Sequence, residues 1–288
     1  MKRWIMGLMV LAMATIALPA RAGNIALTGH DDDFHCLYDG GGTPACLQLT
    51  ALVNFAKNGS GLKVLTFDAG SQLTSDLTSL GIAFTNVNPD TAGAVTASLF
   101  NNSLYSAFVV ASDTSCGGCD NNSTGETAIA AQSAAIDAFL NAGGGIVGLA
   151  GADSAGYYSF VPQTATSSGG APSTGYSQTA VGATFGIPAD NYGDPTHNLF
   201  ANPGTSGESA FYQVAEVNSF GNVGDGGDIP GPNAATTLLC DLCTVSGGVI
   251  TGGGGGGGTT PEPSSFILLG SGLLGLAGVA KRRFLQTA

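Results

Sequence analysis

The sequence predicts an α/β fold in which helices cover both faces of a doubly wound parallel sheet. Short apolar segments of strand length alternate with segments of helical periodicity between residues 23 and 160. The helical segments are long enough to form right-handed crossovers between parallel strands. From residue 161 onward the chain is rich in Ser, Thr, Gly and Pro, which predicts long Gly/Ser-rich loops and edge strands.

The individual elements follow from local patterns, taken in chain order. A helix over residues 44–57 has an apolar face that includes Leu49, Leu52 and Val53. Gly81 is a typical residue just after a helix, so a second helix covers residues 72–80. The other predicted helices are 90–100 and 127–141, and the predicted strands are 24–27, 63–67, 82–87, 107–111 and 146–149. Weaker strand patterns lie at 179–185, 210–217, 236–240 and 245–251.

The distribution of charge excludes one class of partner. The chain of 288 residues has 8 Lys and Arg against 20 Asp and Glu, a net charge of −12. Six of the basic residues lie near the two ends, so residues 23–263 carry only Lys57 and Lys63 against all 20 acids, a net charge of −18. Nucleic-acid affinity depends on cations that neutralise phosphates. The sequence therefore predicts no nucleic-acid partner, and it predicts no attraction of the body to anionic lipid apart from the basic tail.

Residues 1–22 have the pattern of a secretory signal peptide. Lys2 and Arg3 precede an apolar run that ends at Leu18, and Ala20-Arg21-Ala22 provides a small-residue cleavage site. A retained membrane anchor is the alternative, but the run is short and a cleavage site follows it. We expect signal peptidase to cut after Ala22, so that the mature chain begins at Gly23.

The C-terminal segment contains three features in order. A Gly-rich linker (252–260) precedes Pro261-Glu262-Pro263, an apolar segment (264–280) and the basic triplet Lys281-Arg282-Arg283. As a helix, the apolar segment covers about 25 Å, close to the length that crosses a bilayer core. The basic triplet predicts a cytoplasmic end. The sequence thus divides into the signal peptide, a body over residues 23–251, the linker, and a sorting segment over residues 261–288 with a transmembrane helix.

This order of features resembles the PEP-CTERM sorting signal of Gram-negative bacteria, over residues 259–288. The resemblance implies that an exosortase, a membrane cysteine protease, cleaves near Pro261-Glu262-Pro263. The protein would be anchored in the inner membrane before processing, and would then pass to the cell surface or its exopolysaccharide matrix. A plain C-terminal anchor is the alternative.

The body carries a second resemblance, which rests on short motifs. The segment of residues 138–149, AFLNAGGGIVGL, is similar to the central helix and strand of the trehalose-utilisation (ThuA-like) family, within the class I glutamine-amidotransferase-like superfamily. The similarity extends to residues 181–185, 194–197 and, faintly, 208–212. It implies a flavodoxin-like sheet and, in some members, a sugar-related role. Amidotransferases carry a nucleophilic Cys after this strand, but residues 150–154 read AGADS, so the sequence excludes amidotransfer and predicts no catalytic residue.

Acidic residues follow the predicted strands at the points where a parallel sheet binds ligands. Two interpretations are open. The functional one is a divalent-cation or polar-ligand site, which would make a divalent cation the sole candidate cofactor. The alternative, which the pattern favours, is that these residues are helix caps and acidic surface. The candidate ligands are Asp31, Asp33, His35, Asp113 and Asp153.

The chain has six cysteines, an even number that favours disulfides in an exported protein. The preferred arrangement is three local bridges, one closing the short loop between Cys36 and Cys46 and two within the C-x-x-C pairs. A four-thiolate zinc site built from the two C-x-x-C pairs is the second choice, and redox chemistry is the third. The C-x-x-C pairs are Cys116–Cys119 and Cys240–Cys243.

Two functional hypotheses follow. The first is a non-catalytic surface protein that binds a glycan or the exopolysaccharide matrix. The second is an exported enzyme that acts on a carbohydrate derivative through the acidic edge. The missing nucleophile and the lack of Arg in the body favour the first. Aromatic residues at Tyr157, Tyr158, Phe160 and Tyr176 are candidates for stacking on sugar rings, although packing is the commoner role for such residues.

Overall fold

A mixed sheet forms the centre of the protein in a computed structural model, which describes residues 22–152, 154, 156–162, 167–169, 173–191, 197–200, 211–220 and 233–251. The predicted signal peptide up to residue 21, the Gly-rich linker, Pro261-Glu262-Pro263 and the apolar segment 264–280 lie outside these residues. All described elements belong to one compact unit, residues 21–255. Within the described ranges, no helix has the length and apolar character needed to cross a membrane.

The sheet combines a parallel part with an antiparallel part. The strands are β1 (Gly23–Thr28), β2 (Lys63–Phe67), β3 (Phe84–Val87), β4 (Tyr105–Val110), β5 (Gly145–Gly148), β6 (Ser167–Gly169), β7 (Tyr176–Gln178), β8 (Asn198–Phe200), β9 (Gln213–Asn218), β10 (Ala234–Ser246) and β11 (Val249–Thr251). The first five are parallel, in the order β3-β2-β4-β5-β1. β10 pairs antiparallel with β1, and both β8 and β9 pair antiparallel with β10. The parallel sheet predicted for residues 23–160 is therefore confirmed. The edge strands predicted after residue 161 are partly wrong, because β10 lies inside the sheet between β1 and β8.

The strand order places β1 between β5 and β10. A flavodoxin-like sheet has the strand order 2-1-3-4-5. If β2 is counted as the first strand, then β3, β2, β4 and β5 have the order 2-1-3-4. β1 occupies the place of the fifth strand. All six residues of β1 are buried. The loop after β1 consequently reaches the same edge of the sheet as the loops after β4 and β5.

Helices cover both faces of the sheet, as the doubly wound prediction requires. They are α1 (Asp32–Tyr38), α2 (Pro44–Lys57), α3 (Gln72–Ser79), α4 (Ser123–Ala130), α5 (Ser133–Asn141) and α6 (Ala180–Phe185). α2 and α3 bury Leu52 and Leu73 in the apolar cluster on one face. α4 and α5 bury Ile129 and Phe139 in the cluster on the other face.

Local predictions succeed where periodicity is strong and fail where backbone geometry intervenes. The helix over residues 44–57 and the strand over residues 63–67 are confirmed with those bounds. The predicted helix 90–100 is wrong, since only a 3-10 turn forms at Ala97–Leu99 and Gly93 has a φ of 74°. The predicted helix 127–141 is two helices, α4 and α5, and α4 begins earlier because the Asn122 side chain caps it by accepting from the Thr124 N–H.

Two corrections concern the second half of the body. The predicted strand 179–185 is wrong, because this segment is helix α6. The Thr179 hydroxyl accepts a hydrogen bond from the Gly182 N–H, and Gly186 ends the helix with a φ of 71°. The separate strand patterns at 236–240 and 245–251 form one long strand, β10, which turns back at Gly247 and Gly248 into β11.

Candidate functional site

Helix α1 lies across the carboxyl ends of the parallel strands, which is where ligands bind in sheets of this kind. Asp33 on α1 accepts hydrogen bonds from the backbone N–H of Ser112 at 2.8 Å and from its hydroxyl at 2.6 Å. Ser112 comes two residues after the end of β4. These bonds hold the acidic segment at the start of α1 over the edge of the sheet.

A close backbone contact brings a distant histidine to the same place. The carbonyl of Gly29, just after β1, accepts hydrogen bonds from the N–H groups of His197 (2.9 Å) and Asn198 (3.3 Å). A Cβ atom at Gly29 would overlap the carbonyl oxygen of Asn198, so glycine is required here. His197 therefore lies beside the start of α1, although it is far away along the chain.

Asp31, His35 and His197 converge on one point, and we call them the Asp31 cluster. Asp31 Oδ2 lies 3.6 Å from His35 Nε2 and 3.2 Å from His197 Nε2. Asp31 is 1% exposed, and its Oδ1 has no hydrogen-bond partner. One ligand atom from each residue lies within 4.8 Å of the others, so the cluster has the dimensions of a metal site.

The helical repeat of α1 orients His35. Asp31, His35 and Asp39 are spaced four residues apart, so they share one side of the helix. His35 Nδ1 lies 2.8 Å from Asp39 Oδ2. Because a carboxylate accepts, this contact places the proton of a neutral ring on Nδ1 and leaves the lone pair of Nε2 directed toward Asp31.

A second group of polar residues, the Glu216 cluster, lies deeper in the protein. His30 Nε2 is 2.7 Å from Glu216 Oε2, and Glu216 Oε1 accepts from the Asp190 N–H at 2.8 Å. Asp32 completes the group, and His30, Asp32 and Asp190 are also close enough to share an ion. Burial, followed by the charges of Asp190 and Glu216, raises the pKa of Asp32 well above its ordinary value.

The remaining predicted ligands have other roles or lie elsewhere. Asp113 caps the 3-10 turn Thr114–Cys116, accepting hydrogen bonds from the N–H (2.7 Å) and the hydroxyl of Ser115. Asp33 is bonded to Ser112, and burial raises its pKa to about 7. Asp153 lies outside the described residues. The structure thus brings Asp31 and His35 together with His197, whereas Asp113 matches the capping interpretation.

A carboxyl pair lies near the elbow after β5. The Ser154 hydroxyl donates to Glu126 Oε2 at 2.7 Å. Burial, followed by hydrogen bonding to the Asp113 carboxyl, raises the pKa of Glu126 to about 8. The partner of Ser154 is therefore an acid that is largely protonated at neutral pH, not the histidine base of an activated nucleophile.

The six cysteines form the three local disulfides that the sequence predicts. The bridges are Cys36–Cys46, Cys116–Cys119 and Cys240–Cys243. Cys119 Sγ lies 3.7 Å from Asp31 Oδ2, so the second bridge borders the Asp31 cluster. In the part of the chain that the structure describes, no group of potential metal ligands joins the two C-x-x-C pairs.

An aromatic pair, a partly buried Phe34 and an exposed Tyr38, lies beside the Asp31 cluster on α1. The rings of Phe34 and Tyr38 stack with their centroids 4.6 Å apart, and Tyr38 is 71% exposed. The Phe34 ring packs against Gly118, where a Cβ atom would overlap it. By contrast, the four aromatic residues that the sequence offers for sugar stacking lie in the core, which supports their packing role: Tyr157, Tyr158, Phe160 and Tyr176.

Fold and site together define an α/β domain whose carboxyl edge carries carboxylates, histidines and an aromatic pair with Tyr38 exposed. Comparison with known proteins adds one finding beyond this domain. A family model described as the PEP-CTERM protein-sorting motif matches residues 259–283. The chain is thus an exported protein that is anchored in the membrane before an exosortase processes it.

The comparisons do not extend to the body. No curated protein and no solved structure matches the chain. No family model matches the body, so the comparisons do not support its resemblance to the trehalose-utilisation family.

Proposed function

We propose that the body is a non-catalytic, amidotransferase-like domain that binds a polysaccharide after exosortase processing. In this proposal the processed protein sits at the cell surface or in the exopolysaccharide matrix of a Gram-negative bacterium. Its partners are signal peptidase and exosortase during export, and the membrane before processing. The ligand surface is α1 with its aromatic pair and the neighbouring carboxylates.

The observation that carries this proposal is the exposure of Tyr38. Aromatic rings with one open face pack against the apolar faces of sugars, and neighbouring polar groups hydrogen-bond the hydroxyls. Tyr38 is supported from behind by Phe34, which is itself packed on Gly118, so the ring is held in place before a ligand arrives. Asp39, next along the chain, adds a carboxylate acceptor at the same surface.

The sequence after β5 also lacks the nucleophilic cysteine of the amidotransferase-like superfamily that the body resembles. Residues 150–152 and 154 after β5 offer no thiol, and the Ser154 hydroxyl donates to Glu126. The strand order from β2 to β5, with β1 in the fifth position, is compatible with a flavodoxin-like ancestry. Both points support a domain that binds a ligand at the carboxyl edge of its sheet and has no nucleophilic cysteine there.

The test is a binding measurement on the exported protein with its own exopolysaccharide and a panel of soluble polysaccharides. We expect Tyr38→Ala to weaken binding roughly three- to tenfold, since one aromatic contact contributes about 0.5–1.5 kcal/mol. Phe220→Ala is the matched control, because Phe220 is also exposed but is not part of α1. Equal binding by wild type and Tyr38→Ala would contradict the assignment of this surface, and binding to none of the polysaccharides would contradict the function.

One observation favours the second candidate, an exported enzyme. Burial and the neighbouring Asp113 carboxyl raise the pKa of Glu126 to about 8, and an acid with this pKa is suited to donate a proton at neutral pH. This reading predicts that the polysaccharide is shortened during incubation and that Glu126→Gln abolishes the shortening. Size-exclusion chromatography of the polysaccharide separates the two functions, because a binding domain leaves its length unchanged.

A further inference from the structure

We infer that the Asp31 cluster holds one divalent transition-metal ion through Asp31, His35 and His197, with Zn²⁺ as the best fit. The inference does not depend on polysaccharide binding, because it concerns a bound ion and not the aromatic surface. It differs from the cation site that the sequence predicts, since it includes His197 and leaves out Asp33, Asp113 and Asp153.

The distances within the cluster suit a small tetrahedral ion. Ligand atoms about 2.0–2.1 Å from such an ion lie about 3.3–3.5 Å from one another. Asp31 Oδ2 lies 3.2 Å from His197 Nε2 and 3.6 Å from His35 Nε2. An ion can therefore enter with small side-chain adjustments, and three protein ligands leave a fourth position for water or a ligand oxygen.

The surroundings of His35 prepare it for a metal. Metal-binding histidines usually donate their second ring N–H to a carboxylate or carbonyl, which fixes the tautomer and increases the basicity of the ligating nitrogen. Asp39 provides this acceptor at 2.8 Å from Nδ1.

Asp31 itself gives an independent indication of a missing ligand. It stands at the N-cap position of α1, yet its side chain makes no capping hydrogen bond. Its Oδ1 is buried without a partner, which is costly for a carboxylate unless a cation lies nearby. The two lysines of the body are far from it: Lys57 ends α2, and Lys63 begins β2 and lies over Tyr105 at the opposite edge of the sheet.

The donor set favours transition metals over Ca²⁺ and Mg²⁺. Two imidazole nitrogens and one carboxylate oxygen suit Zn²⁺ and its neighbours, whereas Ca²⁺ and Mg²⁺ prefer oxygen ligands only. His197 keeps 24% of its side chain exposed, while Asp31 and His35 are buried. The side of His197 is therefore the route by which an ion would reach the site.

The test is metal binding by the full exported protein in buffer without reductant, so that the cysteines remain paired. After treatment with a chelator and removal of the chelator, titration calorimetry should show one Zn²⁺ per chain and no comparable binding of Ca²⁺ or Mg²⁺. Co²⁺ should give the visible absorption of a tetrahedral site. Asp39→Asn should weaken Zn²⁺ binding about 10- to 100-fold, and His197→Gln should weaken it more.

Two controls separate this site from general attraction to an acidic protein. Asp137→Asn removes a partly exposed acid of α5, and Asp113→Asn removes a buried acid of the same edge. Both should bind Zn²⁺ as wild type does. The inference is overturned if His197→Gln, shown to be folded by circular dichroism, retains wild-type affinity. It is also overturned if Zn²⁺ and Ca²⁺ bind equally, or if Asp113→Asn loses as much affinity as His197→Gln.

Discussion

Buried carboxyl groups are the distinctive residues of this protein, and Asp76 illustrates what burial does to them. Asp76 lies on α3 and is 1% exposed, and its Oδ2 has no hydrogen-bond partner. The charges of Asp33 and Asp68 face the carboxyl, and the neighbouring Leu37 N–H opposes their effect on its pKa. Burial, followed by the charge of Asp33, raises the pKa of Asp76 to about 8. The group is therefore largely protonated at neutral pH.

This shift makes stability depend on pH with a definite sign. An unfolded chain releases the Asp76 proton near pH 4, whereas the folded protein holds it until about pH 8. The folded state therefore binds more protons across this window, so the free energy of unfolding falls as pH rises from about 4 to 8. The stabilisation that Asp76 contributes is complete below its pKa in the unfolded chain, near 4. It is lost as the pH rises through its pKa in the folded protein, about 8.

We expect Asp76→Asn to remove this contribution. Between pH 5 and pH 8 the melting temperature of wild type should fall, and that of the variant should fall less. The difference should be at most about 1.4 kcal/mol per pH unit, or a few degrees. Asp137→Asn, a partly exposed acid of α5, is the control and should change the slope less. Parallel pH profiles for wild type and Asp76→Asn would show that Asp76 is ionised in the folded protein.

At the residue scale, the sequence identifies part of the candidate site. Asp31 and His35 are recognisable because they cluster in the segment after the first strand. His197 is recognisable only as part of a short motif, since its position depends on the backbone contact with Gly29. Asp113 follows a strand just as Asp31 does, and only the capping bond to Ser115 distinguishes the two roles.

At the scale of elements, the glycine at position 145 allows a helix to pack closely against the sheet. Gly145 begins β5, and a Cβ atom there would overlap the carbonyl oxygen of Ala56 near the end of α2. A backbone atom cannot rotate away as a side chain can. The contact between α2 and β5 therefore depends on the absence of a side chain at this position.

We expect Gly145→Ala to destabilise the protein by about 1–3 kcal/mol, because the helix must shift away from the strand. The melting temperature should fall by several degrees in thermal denaturation. Gly61→Ala is the control, because we expect no loss of stability from it. Its Cβ would have no neighbour within 4 Å, so it should be neutral or stabilise by up to about 1 kcal/mol through the unfolded state. Equal melting temperatures for the two variants would contradict the packing argument.

The elements that the sequence predicts correctly are those whose side chains alone determine the structure. α2 has a continuous apolar face and Pro44 at its first turn, and both are readable in the sequence. α1 is missed because its buried residues include Asp32, Asp33 and His35, which carry no apolar periodicity. α6 is missed because its Val and Thr residues resemble a strand, and the caps at Thr179 and Gly186 decide otherwise.

At the scale of the whole molecule, the acidic body and the C-terminal sorting segment differ in charge and composition. The segment over residues 23–263 carries −18. Of its buried acids, Asp31 and Glu216 contact histidines, and burial raises the pKa of Asp32 and Asp76. We expect a body of this charge to bind no nucleic acid, because it has few cations to neutralise phosphates. The matched sorting motif joins it to a C-terminal segment that contains an apolar run and three consecutive basic residues. Anchoring in the membrane before exosortase processing is therefore the part of the function that this segment carries.

The sorting motif makes its own prediction. We expect Glu262→Ala to block removal of the C-terminal segment, because Glu262 lies in the Pro-Glu-Pro sequence within the matched residues 259–283. The variant should stay in the membrane fraction at full length, whereas wild type should be trimmed and recovered from the cell surface or the surrounding matrix. Intact mass and an immunoblot against the last residues distinguish the two forms. Glu208→Ala makes the same chemical change outside the motif and should be processed like wild type. If Glu262→Ala were trimmed at the wild-type rate, cleavage would not depend on this motif, and the apolar segment would act as an ordinary membrane anchor.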